Sequence, residues 1–132
     1  MAIHAEGTFT VQSWDESTYQ ELGGAAKLSK ARMTFGYSGE LQAEGTSDTL
    51  MCYADDGTAV YTGLDRMVGE LAGRSGSFVL LSRGAYADGT ARTAWQVVDG
   101  SGTGELAGLR GTGSAVAASG PGGTFSLDCE LA

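Results

Sequence analysis

The chain has few of the residues on which metal centres, disulfide frameworks and nucleic-acid binding depend. Its 132 residues include one histidine, two cysteines and eight lysines and arginines, against sixteen aspartates and glutamates. The net charge of −8 argues against nucleic acid or an anionic membrane surface as a partner, because phosphate binding needs clustered basic side chains. With His4 as the lone histidine, we expect no histidine-based metal site and no catalytic triad. We expect no cofactor either.

Long apolar runs are also missing. No stretch approaches the roughly 18 apolar residues of a membrane span, and the start MAIHAEGTF lacks a basic segment followed by an apolar one. We therefore expect a cytoplasmic protein. Strand alternation predicts that Cys129 points inward and Cys52 outward, which disfavours a disulfide between them. We therefore expect both thiols to be free in a reducing compartment.

Helical periodicity is almost absent, and a period of two residues replaces it. Residues 1–132 fit a single domain, and 22 glycines with one proline fit strands joined by turns. The alternation predicts eight strands near residues 3–13, 27–37, 41–54, 58–71, 77–87, 90–99, 112–118 and 124–131. Short helical pieces are expected only near residues 15–22 and 103–109. The predicted fold is all-β, a single eight-stranded antiparallel barrel of lipocalin-like shape, since closure removes exposed sheet edges.

Three hairpin loops predict how neighbouring strands pair. They are the two-residue turn Asp88-Gly89, a DDG loop at residues 55–57 and a GRSG loop at residues 73–76. The DDG loop sets Ser47 opposite Asp65, and the GRSG loop sets Gly84 on the other side of Asp65. All three registers direct the same residues to one face of the sheet, so the prediction of an interior face is consistent along the chain.

The predicted interior carries most of the large side chains. An eight-stranded barrel is just wide enough to be filled by side chains or to hold one small ligand, and the sequence leaves both interpretations open. Three methionines and a set of aromatic residues that includes Trp14 would suit an adaptable apolar pocket, although packing alone also explains them. The candidate ligand-binding residues are Met33, Phe35, Tyr37, Ser47, Met51, Tyr53, Tyr61, Met67, Phe78, Leu80, Ser82, Thr93 and Trp95.

The predicted exterior is mainly charged, but part of it is apolar. Val60, Leu64, Val68, Val79 and Leu81 fall on the outward side of their strands. An apolar strip of this kind is typical of a subunit contact, so we expect that the chain forms a homo-oligomer.

Asp65 is the candidate catalytic residue, because the predicted register points its carboxylate into the barrel. Desolvation raises the pKa of a carboxyl group in apolar surroundings, which would suit a general base. The alternative is a structural acid that accepts hydrogen bonds from Ser47, Thr93 or an arginine at the barrel rim. The glycines Gly63, Gly69 and Gly84 are expected to leave room around it.

Four stretches carry a resemblance to a known family. GTFTVQSWDE, SGELQAEGT, GLDRMVGELAGRSGSFVL and GSGTGELAGLRGTGS occur in the same order and together resemble a family of small uncharacterised bacterial proteins, common in actinobacteria. The resemblance implies an allene-oxide-cyclase-like β-barrel. It implies no catalytic residues, because the family is a domain of unknown function. More distant barrels of this type include plant allene oxide cyclases and bacterial cyclases that act on polyketides, which are analogies of fold only.

These observations lead to three functional hypotheses. The first is a small-molecule barrel that holds an apolar or aromatic ligand, acting as a cofactor-free isomerase or cyclase with Asp65 or a tyrosine hydroxyl assisting. The second is a ligand carrier or sensor without chemistry. The third is a filled barrel that serves as a structural or oligomerisation module. An interior cavity would separate the first two hypotheses from the third.

Overall fold

The computed structural model describes residues 1–118 and 122–131. Eight strands and one turn of 3₁₀ helix, Gly104–Leu106, account for most of this part of the chain. The strands are β1 (Ala2–Gly23), β2 (Ala26–Gly39), β3 (Leu41–Tyr53), β4 (Ala59–Leu71), β5 (Arg74–Ala87), β6 (Thr90–Val97), β7 (Arg110–Ala117) and β8 (Gly122–Glu130). The all-β prediction is confirmed.

The strands form one antiparallel sheet that closes on itself in chain order. Each strand pairs with the next, and β1 pairs with β8 over Ala2–Thr10, which completes the barrel. The predicted interior and exterior faces are confirmed, because the charged residues of the outer set are exposed and the large apolar residues of the inner set are buried or half-buried. Closure also leaves the lower part of the sheet without free edges.

Two of the three predicted hairpin registers are confirmed. Ser82 lies opposite Trp95 across the Asp88-Gly89 turn, and Ser47 lies opposite Asp65 across the DDG loop. In that loop Gly57 adopts a φ of 89°, a left-handed conformation that favours glycine.

The register predicted from the GRSG loop is wrong. The chain reverses direction at Ala72 and Gly73, at the beginning of the predicted loop, and these residues have φ angles of 50° and 80°. This two-residue turn pairs Asp65 with Leu80 and moves Gly84 opposite Tyr61. The shift is an even number of residues, so each side chain keeps its predicted face while its partners across the strand pair change.

The helical turn predicted near residues 15–22 is also wrong, because β1 continues through this segment and pairs with β2 as far as Gly23. The pairing shifts by one residue between Val11 and Ser13, which is a β-bulge. After the bulge Trp14 lies opposite Met33 and Glu16 lies opposite Ala31. The bulge therefore brings Trp14 and Glu16 to the inner side of the ribbon that stands above the barrel. The helical piece expected near residues 103–109 is present as the 3₁₀ turn.

The segment between β6 and β7 closes one end of the barrel, here called the lower end. Thr103 donates its backbone N–H to the Ser77 carbonyl at 2.8 Å, and the 3₁₀ turn with the residues after it places Leu106 and Leu109 in the interior. Mainly apolar side chains pack this half. Its innermost residues, all with at most 2 % of their surface exposed, are Leu41, Met67, Leu71, Phe78, Leu80, Val97, Leu106, Leu109 and Leu127.

The outer surface retains an apolar strip. Val60, Leu64, Val68 and Leu81 are exposed there, whereas Val79 is half-buried. The homo-oligomer expected from this strip stays a prediction. Cys52 is exposed and Cys129 is buried, both as free thiols on the faces predicted for them. None of the described residues forms a helix long and apolar enough to cross a membrane.

Candidate functional site

The upper half of the barrel interior is hollow. It contains a cavity of about 320 Å³ that opens between the loops at the upper end. Side chains from β1 to β7 line it, because the inward residues of every strand converge on the same axis. The lining residues are Phe9, Val11, Trp14, Met33, Phe35, Tyr37, Ser47, Thr49, Met51, Tyr53, Ala59, Tyr61, Asp65, Ser82, Tyr86, Ala91, Thr93, Trp95, Ala115 and Ala117.

The structure divides the sequence-predicted site residues into two groups. Those on the cavity wall are Asp65, Met33, Phe35, Tyr37, Ser47, Met51, Tyr53, Tyr61, Ser82, Thr93 and Trp95. Met67, Phe78 and Leu80 are instead enclosed in the filled lower half. Strand alternation assigns a face but no height along the barrel axis, so it could not separate these three residues from the rest.

Asp65 lies on the floor of the cavity, at the boundary between the hollow and filled halves. Its neighbours across the strand pairs are Ser47 on β3 and Leu80 on β5, and Met67 lies two residues below it on β4. The side chain is 6 % exposed. Among the described residues, its Oδ1 atom is buried and has no hydrogen-bond partner. The carboxylate is therefore desolvated and incompletely satisfied.

Two serines flank this carboxylate, and each also contacts another polar group. The Ser47 hydroxyl is 2.7 Å from Thr49 Oγ1, and the Ser82 hydroxyl donates to the Gly63 carbonyl at 3.3 Å. Burial raises the pKa of Asp65 to about 6, while the nearby Ser47 and Ser82 hydroxyls limit the rise. The carboxylate is mostly ionised at neutral pH and becomes protonated in mildly acidic solution.

Gly84 makes room for Tyr61 and not, as predicted, for Asp65. A Cβ at Gly84 would stand 2.5 Å from the Tyr61 hydroxyl oxygen, so only glycine permits this ring position. The Tyr61 hydroxyl in turn lies 2.6 Å from Thr93 Oγ1. This pair forms a polar patch on the β4–β6 wall of the cavity.

A cluster of aromatic rings around Tyr37 contributes to another part of the wall and to the floor. Tyr37 packs within 5.6 to 6.0 Å, centroid to centroid, of the rings of Phe9, Trp95 and Phe125. Burial, together with the charge of Asp65, raises the pKa of Tyr37 far above its ordinary value. Its hydroxyl therefore stays protonated and can act as a hydrogen-bond donor.

A second carboxylate, Glu16, lies at the mouth. Its Oε1 accepts a hydrogen bond from Trp14 Nε1 at 2.9 Å, and its Oε2 accepts bonds from Ser29 Oγ at 2.5 Å and from the Tyr53 hydroxyl at 2.7 Å. Burial alone would raise the pKa of Glu16, but these three donors outweigh it and hold the pKa below its ordinary value. Glu16 thus stays ionised and ties the β1–β2 ribbon to the rim of β3.

Positive charge is absent from the described wall of the cavity, whose lining includes no lysine, arginine or histidine. Lys27 is a basic residue near the mouth, with Nζ 5.0 Å from the centre of the Tyr53 ring. Within residues 1–118 and 122–131, no three histidine, cysteine, aspartate or glutamate side chains are grouped to hold a metal ion.

Sequence reasoning missed several residues of the site. Thr49 alternates in step with Ser47 and Met51 on β3, so strand alternation predicts that its side chain also points inward. Phe9 also follows the inward parity of its strand, with Ile3 and Ala5. Glu16 carries no such signal, because the bulge after Val11 reverses the parity of the residues that follow it on β1 as far as the next register shift, after Thr18.

The fold and the cavity define the chain as a closed eight-stranded β-barrel whose interior is hollow at one end. Over residues 5–128 it matches the family described as "Protein of unknown function (DUF3224)", and it belongs to that family. A crystal structure of a DUF3224 protein of unknown function from Shewanella oneidensis MR-1 is similar, with 29% sequence identity and a TM-score of 0.84. The similarity covers 100% of this chain and 98% of that one. No curated protein matches the chain.

Proposed function

We propose that the protein binds a small, largely apolar or aromatic molecule in the upper half of the barrel. The observation that carries this proposal is Asp65, a carboxylate that lines a largely apolar cavity and whose buried Oδ1 has no hydrogen-bond partner among the described residues. A buried polar atom without a hydrogen bond costs about 1–3 kcal/mol, and more when it is charged, so its retention favours a role in binding.

The size and lining of the cavity support the same proposal. Its volume of about 320 Å³ lies at the lower end of the range of roughly 300–1,000 Å³ that is usual for small-molecule pockets. Met33 and Met51 contribute flexible thioethers to the wall, and such side chains adapt to ligands of different shape. An apolar body with one hydrogen-bond donor would match this surface.

A second candidate function is a cofactor-free isomerase or cyclase. Asp65 and Tyr37 both line the cavity, and the carboxylate has a pKa near 6, which suits a general base at neutral pH. In such a reaction Asp65 would take a proton from a carbon next to a carbonyl group. The protonated Tyr37 hydroxyl would donate a hydrogen bond to the resulting enolate oxygen, and Asp65 would return the proton at another carbon. The resemblance of the sequence to allene-oxide-cyclase-like barrels is consistent with this second candidate function and is part of the proposal.

Binding can be tested with N-phenyl-1-naphthylamine, a neutral fluorophore that brightens in apolar surroundings. We expect saturable binding to the wild type. The variant Ala91→Phe fills the cavity wall and should weaken binding at least tenfold, whereas Ala94→Phe, on the outer face of the same strand, should not change it. Equal affinity in all three proteins would place the probe outside the barrel and contradict the proposal.

A further inference from the structure

We propose that the cavity selects a protonated amine carried on an apolar or aromatic body, and that it rejects molecules carrying a carboxylate. This inference rests on the proposed function and names the chemical class of the ligand. It follows from the distribution of charge and of aromatic faces around the cavity.

The floor of the cavity offers a negative charge and no positive one. Asp65 lines the floor, its Oδ1 has no hydrogen-bond partner among the described residues, and the described lining contains no lysine, arginine or histidine. The nearby arginines, Arg66 on the same strand and Arg83 on β5, are exposed on the outer face. A buried carboxylate is satisfied best by a cation that also donates hydrogen bonds, and an ammonium group does both.

The walls above Asp65 suit a cation as well. Tyr37, Tyr61 and Trp95 line the cavity, and the negative faces of such rings attract an ammonium group once it has lost its water. The hydroxyls of Ser47 and Ser82 flank the carboxylate and are able to accept a second hydrogen bond each. The floor thus combines the acceptors that an ammonium group requires after desolvation.

The mouth carries the same sign of charge. Glu16 is held ionised by three hydrogen-bond donors, and the whole chain has a net charge of −8. Lys27 offsets part of this charge only at the rim, above the Tyr53 ring. A cation is attracted on its way in, whereas a carboxylate meets repulsion at the mouth and again at the floor, without any basic side chain in the described wall to balance it.

The test compares three probes that share a 1-naphthylmethyl group and differ in the group attached to it: 2-(1-naphthyl)ethylamine, 2-(1-naphthyl)ethanol and the carboxylate 1-naphthaleneacetate. Calorimetry at pH 7.5 should show the amine binding at least tenfold more tightly than the alcohol, with the carboxylate weakest. In Asp65→Asn the amine should lose its advantage, while the alcohol stays within about threefold of its wild-type affinity. The control is Asp48→Asn, which removes the same charge from the outer face of the neighbouring strand and should leave the order unchanged.

Proton release provides a second readout. The ionisable groups around Asp65 are Asp48 on β3, Tyr37 on β2 and Tyr61 on its own strand, and the two tyrosines stay neutral near pH 6. Amine binding at pH 6 should therefore release protons from Asp65, seen as a heat that changes with the ionisation enthalpy of the buffer, and alcohol binding should not.

The possible failures are distinguishable. Equal affinities for amine and alcohol, or a preference for the carboxylate, would overturn the inference and leave the proposed binding function standing. If the three probes and N-phenyl-1-naphthylamine all fail to bind, both are overturned.

Discussion

The lower and upper halves of the barrel interior are built from the same eight strands but hold different contents. Below Asp65, leucine, phenylalanine and methionine side chains fill the space, and the segment between β6 and β7 closes the end. Above it, hydroxyl groups and aromatic rings surround a cavity of about 320 Å³, and the Asp65 carboxylate forms part of its floor. The comparison indicates that the lower half supplies stability, whereas the upper half is free to carry groups that make poor packing partners.

The difference has a simple physical origin. A dry interior gains free energy from close contact and from apolar surface removed from water, so polar groups are excluded unless they are satisfied. The upper half keeps Asp65, Ser47 and Ser82 at its floor, where they prevent dry packing of the kind seen below. Stability and binding are therefore separated along the barrel axis, and substitutions should affect one without the other.

The largest expected effect comes from matched methionines in the two halves. Met67 lies fully buried in the filled half, whereas Met33 lines the cavity. Met67→Ala should lower the free energy of unfolding by about 2–5 kcal/mol, because it leaves a void among packed side chains. Met33→Ala should cost roughly half as much or less, since one side of that residue has no packing partner to lose. Urea denaturation followed by circular dichroism measures both.

Probe binding provides the reverse comparison. Under conditions where both variants are folded, Met33→Ala should change the affinity for N-phenyl-1-naphthylamine and Met67→Ala should not. Equal losses of stability in the two variants would show that the halves are packed alike.

The next effect concerns Asp65 and is a dependence of stability on pH. Burial raises its pKa from 3.8 to about 6, so between these values the folded protein binds more protons than the unfolded chain. Lowering the pH from 7 to 4 should therefore stabilise the wild type relative to Asp65→Asn by about 2 kcal/mol, because the variant has no proton to bind at this position. Urea denaturation of both proteins at each pH measures the difference.

The sign of that difference distinguishes a cavity carboxylate from a structural one. A carboxylate stabilised by the fold would have a lowered pKa, and the wild type would then lose stability relative to the variant as the pH falls. A difference that does not change with pH would show that Asp65 is in contact with solvent.

The smallest expected effect lies at the turn below the filled half. Ala72 adopts a φ of 50°, which asparagine tolerates better than alanine, and Asn-Gly is the preferred pair in this type of turn. Ala72→Asn should therefore raise the free energy of unfolding by about 0.5–1 kcal/mol without changing probe affinity. Ala94→Asn, on an extended and exposed segment of β6, is the control and should bring no gain. A loss of stability in Ala72→Asn would contradict this account of the turn.

Much of the fold was predictable because alternation decides which face a residue occupies. The inner face, the outer charged face and two hairpin registers all follow from the period and from loops containing Asp and Gly. The turn at Ala72 was not predictable in this way, since alanine is unusual in a left-handed conformation and Gly76 offered a more conventional loop. The resulting shift spared the faces but exchanged the neighbour of Asp65, from Gly84 to Leu80.

The candidate site was less predictable than the fold. Whether a stretch of the interior is filled depends on what closes each end, and here that is decided by a connection of irregular structure, residues 98–109. Glu16 reaches the mouth only because one residue is inserted in β1, which no periodic pattern reveals. Asp65 could be identified from the sequence because the face on which it lies depends neither on how the barrel ends are closed nor on the bulge in β1.

Closure of the lower end by Leu106 and Leu109 also has consequences for the kinetics of ligand exchange. A molecule in the cavity must leave by the opening through which it entered. The β1–β2 ribbon, held to the rim through Glu16, borders that route without forming the floor. Loosening the ribbon would therefore speed both entry and exit, whereas a change at Asp65 would act mainly on the residence time.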